Sequence, residues 1–274
     1  QLPFLPVRFF KQHLVSVHQQ APQQFFLSSS TTGRGQSRHP VYDRDLYLSM
    51  AQKNFEHRYG SFKGRAVLAL LPSYLERGDS SLVAMAAHFI SLSGDADSGF
   101  FLDDLAGLAA ILRQREQKGQ ASLLLGVTFA LLDLAEAFPQ PLKHTVVMET
   151  GGMKGRRKEM VRAEVHQGLK EAFGQERIHS EYGMTELFSQ AYSSGDGRFL
   201  CPPWMQVHIR ESEDPFQEAR PGKTGGINVI DLANVETCAF LETEDLGRRH
   251  SDGTFEVLGR FDQAEIRGCN LLAW

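Results

Sequence analysis

Leu123-Leu124-Leu125-Gly126-Val127-Thr128-Phe129-Ala130-Leu131-Leu132-Asp133-Leu134 is the stretch on which the fold turns. Its first five residues make a short apolar run, as in a strand buried on both faces. Thr128 then offers a hydroxyl cap for a helix predicted to reach Phe138. The alternation continues downstream. His144 to Met148 predicts a strand, 156–173 a helix stopped by Gly174, and Glu176 to His179 a further strand edge. Strands divided by helical runs imply βαβ units, hence an α/β chain with a mostly parallel sheet and helices on both faces. The run from Leu123 to Leu132 is too short to span a bilayer and is stopped by Asp133, so it reads as core and not as an anchor.

Upstream, Phe25-Phe26-Leu27 predicts a strand that opens into a Ser/Thr/Gly loop, Ser28 to Ser37. Residues 41–59 look helical, and Ala66 to Leu71 reads as a buried strand ended by Pro72. Helices follow over 80–92 and 103–118, the second with Asp103 as its N-cap. From about residue 188 the pattern changes. Short alternating runs (Met205 to Arg210, Gly226 to Ile230, Thr254 to Leu258) are separated by turns rich in Pro, Gly and Asp. No linker of biased composition divides the two parts, so the expected organisation is an α/β core over 1–190 and a strand-rich subdomain of the same domain over 191–274.

Composition narrows the function classes. The chain has 274 residues, 42% hydrophobic and 23% charged, which suits a globular domain with a sizeable core. A net charge of −4 gives no general electrostatic reason to bind nucleic acid or an anionic membrane. Cys201, Cys238 and Cys269 form no CxxC pair, which suggests neither a disulfide framework nor a zinc site, and a cytoplasmic address follows. The prolines at 3 and 6 break the apolar N-terminus, so no signal peptide is expected.

Ligands of parallel sheets sit outside the carboxyl ends of the strands. Two stretches fall there: Gly151-Gly152, and Glu181-Tyr182-Gly183-Met184-Thr185-Glu186. The second suits a nucleoside triphosphate residue by residue. The Tyr182 ring can stack on a base, Gly183 lets the backbone approach a ligand, the Thr185 hydroxyl can donate to a phosphate, and Glu186 can hold Mg²⁺. The same residues also suit a plain polar loop. The Ser28 to Ser37 loop could form an anion nest or simply be flexible; it lacks the Gly-Lys-Ser/Thr of a Walker loop. Asp245, in Thr243-Glu244-Asp245-Leu246-Gly247, could accept from both hydroxyls of a ribose or lie on a surface turn. Gly259-Arg260-Phe261-Asp262, expected just after a strand, could bring a cation to the same sugar or to phosphate. Lys154, Arg156, Arg157 and Lys158 suit a solvated face or a phosphate contact.

Taken in order, the Ser/Thr/Gly loop, Tyr-Gly-Met-Thr-Glu, Thr-x-Asp-Leu-Gly and Gly-Arg-x-Asp resemble the AMP-producing, adenylate-forming acyl ligases. Leu5 to Lys11, Leu71 to Arg77 and Arg267-Gly268-Cys269 are similar to the acyl-protein synthetases of the bioluminescence fatty-acid reductase type. The resemblance implies ATP and Mg²⁺ as cofactors. It implies a fatty acid or another carboxylic acid as substrate, and an acceptor protein or coenzyme A for the acyl group. Ser30, Thr31, Thr32 and Gly33 would hold the β- and γ-phosphates, and Gly151 and Gly152 would line the adenine pocket with Tyr182 on the base. Thr185 would touch the α-phosphate, Glu186 would bind the metal, Asp245 and Arg260 would hold the ribose, and Cys269 would carry the acyl group as a thioester. Two departures stand out. Ser37, Arg38 and His39 occupy the place of the usual lysine after the loop, and the sequence stops at Trp274, where these ligases continue into a smaller C-terminal domain. The expected fold is therefore the large domain of such a ligase with the small domain absent. The alternatives are a nucleotide-binding partner subunit without catalysis, or an aryl- or acyl-CoA ligase.

Overall fold

The computed structural model describes residues 3–28, 35–72, 79–151, 160–212, 214 and 216–261. Ser30, Thr31, Thr32, Gly33, Gly152, the Lys154 to Lys158 cluster and Cys269 lie outside them. The first part of the chain carries β1 (Leu5–Pro6), α1 (Phe9–Gln12), β2 (Gln24–Leu27), β3 (Arg38–Val41), α2 (Arg44–Tyr59), β4 (Ala66–Leu70) and α3 (Ser81–Ser93). Next come β5 (Gly99–Phe101), α4 (Leu105–Gln117), β6 (Ser122–Val127), α5 (Thr128–Ala137), β7 (Thr145–Thr150), α6 (Arg162–Phe173) and β8 (His179–Tyr182). The remainder is β9 (Ala191–Ser193), β10 (Phe199–Leu200), β11 (Met205–Arg210), β12 (Thr224–Asp231), β13 (Phe240–Arg249) and β14 (Phe255–Arg260).

Strands β5, β4, β6, β7 and β8 run parallel in that order, and their apolar sequences explain why. Every residue of Ala66–Leu70 and of Ser122–Val127 is buried, as a central strand covered on both faces requires. Helices α2 and α3 pack together, while α5 packs against both α4 and α6. The helix starts follow local chemistry. Asp43 accepts the Leu46 amide at 2.8 Å, which moves the predicted start of α2 from 41 to 44. Asp104, not Asp103, caps α4, accepting from the Gly107 amide at 2.8 Å. Thr128 is not a cap either. It is the first helical residue of α5, and its hydroxyl turns instead to Glu149 Oε2 (3.1 Å) and the Gly151 carbonyl (2.9 Å). Gly174 ends α6 in the left-handed conformation, as predicted.

The strand-rich part joins the same sheet. β9, β10, β14, β13, β12 and β11 continue it antiparallel from β8, and β1 adds a parallel pair to β13, making twelve strands among the described residues. The expected boundary at 190/191 therefore falls between β8 and β9, which hydrogen-bond directly. Two apolar clusters fill the molecule, one around the parallel strands and one around Phe10, Phe199, Ile227, Leu241 and Phe255 in the antiparallel half. The 182–192 segment belongs to both. Tyr182, Leu187 and Ala191 enter the second cluster, and Phe188 and Tyr192 enter the first.

Of the two readings of 243–247, the surface turn fails. Thr243 to Gly247 is not a turn; it lies inside β13, paired with β12 on one side and β14 on the other. Gly247 is required there, because a Cβ would stand 2.6 Å from both the Glu256 carbonyl oxygen and Ile227 Cδ1. Likewise Gly259 and Arg260 do not follow a strand but close β14.

Candidate active site

The backbone from Thr185 to Gln190 is gripped by side chains from four places. His39 Nδ1 donates to the Thr185 carbonyl at 2.8 Å, and Asn234 Nδ2 donates to the Glu186 carbonyl at 2.8 Å. Asp231 accepts the Phe188 and Ser189 amides, both at 2.9 Å, and the Ser189 hydroxyl at 2.7 Å. Asn54 Nδ2 reaches the Gln190 carbonyl at 2.5 Å. Burial pushes His39 down to about 4, so the ring is neutral near pH 7 and stacks on Phe188 at 4.9 Å between centroids. Burial also raises Asp231, and its four hydrogen bonds work against that shift. Such a buried carboxylate survives only because its oxygens are saturated.

This grip positions Glu186 at the end of a fixed backbone. The side chain is 7% exposed. Burial raises its pKa, while a hydrogen bond from Ser37 and the charges of Lys11 and Arg260 pull it back. Thr185 is half-buried beside it. Ser37 also closes the base of the Ser/Thr/Gly loop, where the Ser28 amide meets the Ser37 carbonyl at 3.1 Å and the Ser37 amide meets Ser28 Oγ at 2.9 Å. The two ends of that loop are therefore tied together, and Ser37 lies against Glu186. Gly151 follows β7 with φ +75°, held through its carbonyl by Thr128.

Three residues far apart in sequence meet on the other side of the strand end. Tyr182 donates its hydroxyl to Asp245 Oδ2 at 2.9 Å. Asp245 is the cross-strand partner of Arg260, whose Nε lies 4.0 Å from Oδ1, beyond hydrogen-bond range. Arg260 instead pairs with Glu244 at 2.5 Å. Burial raises Asp245, and the Tyr182 hydroxyl and Arg260 oppose the rise. The register slips between Leu246 and Gly247 directly beside this pair, a bulge of the kind that re-aims side chains at sites. The Tyr182 ring is 8% exposed and meets Phe199 and Phe255 edge-on, at 5.9 and 5.6 Å.

Sequence reasoning passed over Asp231 and Asn234, and gave no role to His39 or Glu181. Asp231 had one signal, a carboxylate directly after the apolar run Ile227 to Ile230; the others had none.

No known family's sequence model and no curated protein matches this chain. Solved structures do. MatB from Rhodopseudomonas palustris, determined with ATP bound, superposes with a TM-score of 0.64 at 18% identity over 86% of this chain and 47% of its own. The o-succinylbenzoate coenzyme A synthetase MenE from Bacillus subtilis, in complex with ATP and magnesium, gives 0.62 at 17% identity over 87% and 50%. The amide bond synthetase McbA from Marinactinospora thermotolerans gives 0.60 at 17% over 86% and 48%. The fold matches the large domain of adenylate-forming ligases. At these identities the likeness is one of fold, and the chain spans about half the length of each structure it matches. Among the described residues no helix is long and apolar enough to cross a membrane.

Proposed function

We propose that this chain binds MgATP and activates a carboxylic acid as an acyl-adenylate, releasing pyrophosphate. The observation that carries the reading is the meeting of Tyr182, Asp245 and Arg260 at one strand end, beside the fixed Thr185–Glu186 backbone. The residues suit the ligand. Asp245 has one oxygen outside hydrogen-bond range of Arg260, an acceptor for ribose hydroxyls, and Tyr182 holds its other oxygen in place. Among the described residues no three metal-ligating side chains cluster, so Glu186 would act alone with the phosphates, the way Mg²⁺ is commonly held. The metal would supply charge neutralisation between two anions, the attacking carboxylate and the triphosphate. The carboxylate oxygen forms a bond to the α-phosphorus as the bond to pyrophosphate breaks. Lys11 and Arg260 oppose the upward shift that burial imposes on Glu186 and so favour its charged form, and Thr185 offers a hydroxyl donor. Ser30, Thr31, Thr32, Gly33, Gly151 and Gly152 complete the nucleotide contacts by resemblance to these ligases.

The second half of the reading is transfer of the acyl group to a thiol, with AMP leaving. The motif resemblance puts that thiol on Cys269 or on an acceptor protein and implies a cytoplasmic enzyme acting on fatty acids; coenzyme A is the alternative acceptor. Carboxylate-dependent ATP–pyrophosphate exchange across a panel of acids tests the first half. Exchange with any acid supports adenylation, whereas ATP binding with no exchange points to a nucleotide-binding subunit. Hydroxylamine-sensitive label on the C-terminal peptide, lost in Cys269→Ser, tests the second half.

A further inference from the structure

Two glutamates stand on neighbouring strands at the carboxyl end of the sheet, facing opposite sides. Glu149 of β7 faces α6, where Arg162 Nε lies at 3.2 Å and His166 Nε2 at 3.6 Å. Burial would raise its pKa, but His166, Arg162 and Ser180 outweigh that and hold it below the usual carboxylate range. Glu181 of β8 faces the other way, beside Thr150 of β7, its cross-strand partner, and under α2. It is half-buried, and no cationic side chain acts on it among the described residues. Its only hydrogen-bond donor there is the Thr150 hydroxyl. Burial first, then the neighbouring Glu149, lifts it to about 7.

Two groups near Glu181 carry buried polar atoms that no described residue meets. Tyr192 lies opposite it on β9, with a buried hydroxyl that makes no hydrogen bond among the described residues. Gln190, two residues earlier and 4% exposed, has a buried Oε1 without a partner among the described residues. Its Cγ would lie 3.5 Å from a Cβ on Gly183, and that Cβ would collide with Glu181 Oε1. Polar atoms this deeply buried are nearly always paired, so unpaired ones ask what ligand group meets them. Strand alternation puts Tyr182 on the Asp245 side and Glu181 on the α2 side, with Gly183 between them at the strand end. Gly183 itself is exposed between the two sides.

We propose that Glu181, Gln190 and Tyr192 form the pocket for the far end of the acid substrate, and that this end carries an ammonium group. The proposal rests on the adenylation reading. The ammonium supplies Glu181 with the cation that Glu149 already has, and gives Gln190 Oε1 a donor. A plain alkyl chain would leave all three polar groups unmet. The other titratable groups on this side are Glu149 from β7, His179 from β8, Tyr47 and Tyr59 from α2 and Tyr192 from β9; burial pushes His179 down to about 4 and keeps the tyrosines neutral, so Glu181 itself sets the charge near pH 7.

Two pairs of probes decide it: 6-aminohexanoate against hexanoate, and 4-(aminomethyl)benzoate against 4-methylbenzoate, titrated by calorimetry at pH 6 and pH 8. The expected result is that the amine-bearing member of at least one pair binds at least about tenfold tighter, roughly one charged hydrogen bond's worth. That preference grows from pH 6 to pH 8 as Glu181 ionises, collapses in Glu181→Gln and returns in part in Glu181→Asp. Equal or tighter binding of the plain acids, a preference that survives Glu181→Gln, or no binding of any probe overturns the pocket. The comparison of probes in the unmutated protein stands even if a variant fails to fold. Pyrophosphate exchange on the same samples reads the underlying activity separately. An amine preference without exchange keeps the pocket and removes adenylation; exchange with plain acids and no preference does the reverse.

Discussion

Asp231, buried, and Asp245, half-buried, are both carboxylates in the antiparallel half, and their surroundings differ in kind. Asp231 is 0% exposed, and its four hydrogen bonds are shared among backbone amides and one hydroxyl. Nothing is left for a ligand. Asp245 receives a single side-chain hydroxyl on one oxygen, and its other oxygen lies beyond hydrogen-bond reach of Arg260. The first holds the chain from Phe188 to Ser189 in place; the second is held in place by Tyr182 and stays open. A saturated carboxylate is a structural device, and an under-coordinated one beside a bulge is a candidate for binding.

The sharpest way to break this contrast is to remove the saturated member. Asp231→Ala strands three amides and a hydroxyl in the interior, and we expect a loss of about 3 kcal/mol or more in chemical denaturation. A loss under about 1 kcal/mol would mean that the 185–190 backbone does not depend on it. Glu186→Gln should act the opposite way. Exchange should fall by about 100-fold or more, the scale of losing one transition-state electrostatic contact, with the thermal midpoint unchanged. Equal exchange in the two proteins removes Glu186 from the chemistry.

Acid titration probes the same anchored segment. His39 sits at about 4 in the folded chain against an ordinary 6.5. The unfolded chain therefore takes up the proton first as pH falls. The histidine's contribution is whole above 6.5 and drains toward pH 4, at about 1.4 kcal/mol per pH unit. His39→Asn cannot titrate, so the stability gap between it and the parent should narrow over that window; a constant gap contradicts the buried neutral ring. The smallest effect belongs to Tyr182→Phe. It keeps the packing on Phe199 and Phe255 and removes only the hydroxyl to Asp245, which should cost about 1 kcal/mol of stability.

The parallel half was legible because its signal is local. Ala66–Leu70 and Ser122–Val127 are buried throughout, and apolar runs of strand length bounded by helical periods have few other readings. β13 was illegible for the opposite reason. Glu242, Glu244, Asp245 and Gly247 look like a turn, and only pairing on both sides makes them a strand. β8 was expected at Glu176 to His179 and lies at His179–Tyr182, because its bounds follow the register with β7, where Met148 meets His179. At the site, Tyr182, Asp245 and Arg260 could be named from motif order, but their contact depends on strand register across 63 and 15 positions. Asp231, Asn234 and His39 act on backbone atoms of a distant segment, and beyond the place of Asp231 after an apolar run no local pattern marks them.

The central claim is that Tyr182, Asp245 and Arg260 form the sugar end of a nucleotide site. Titration calorimetry of MgATP into the unmutated protein and into Asp245→Asn tests it most directly. The account predicts saturable binding to the former and at least about tenfold weaker binding to the latter, the scale of one hydrogen bond to a charged group. No binding of ATP or AMP to the unmutated protein at millimolar concentration, or equal affinity in the two, would contradict it.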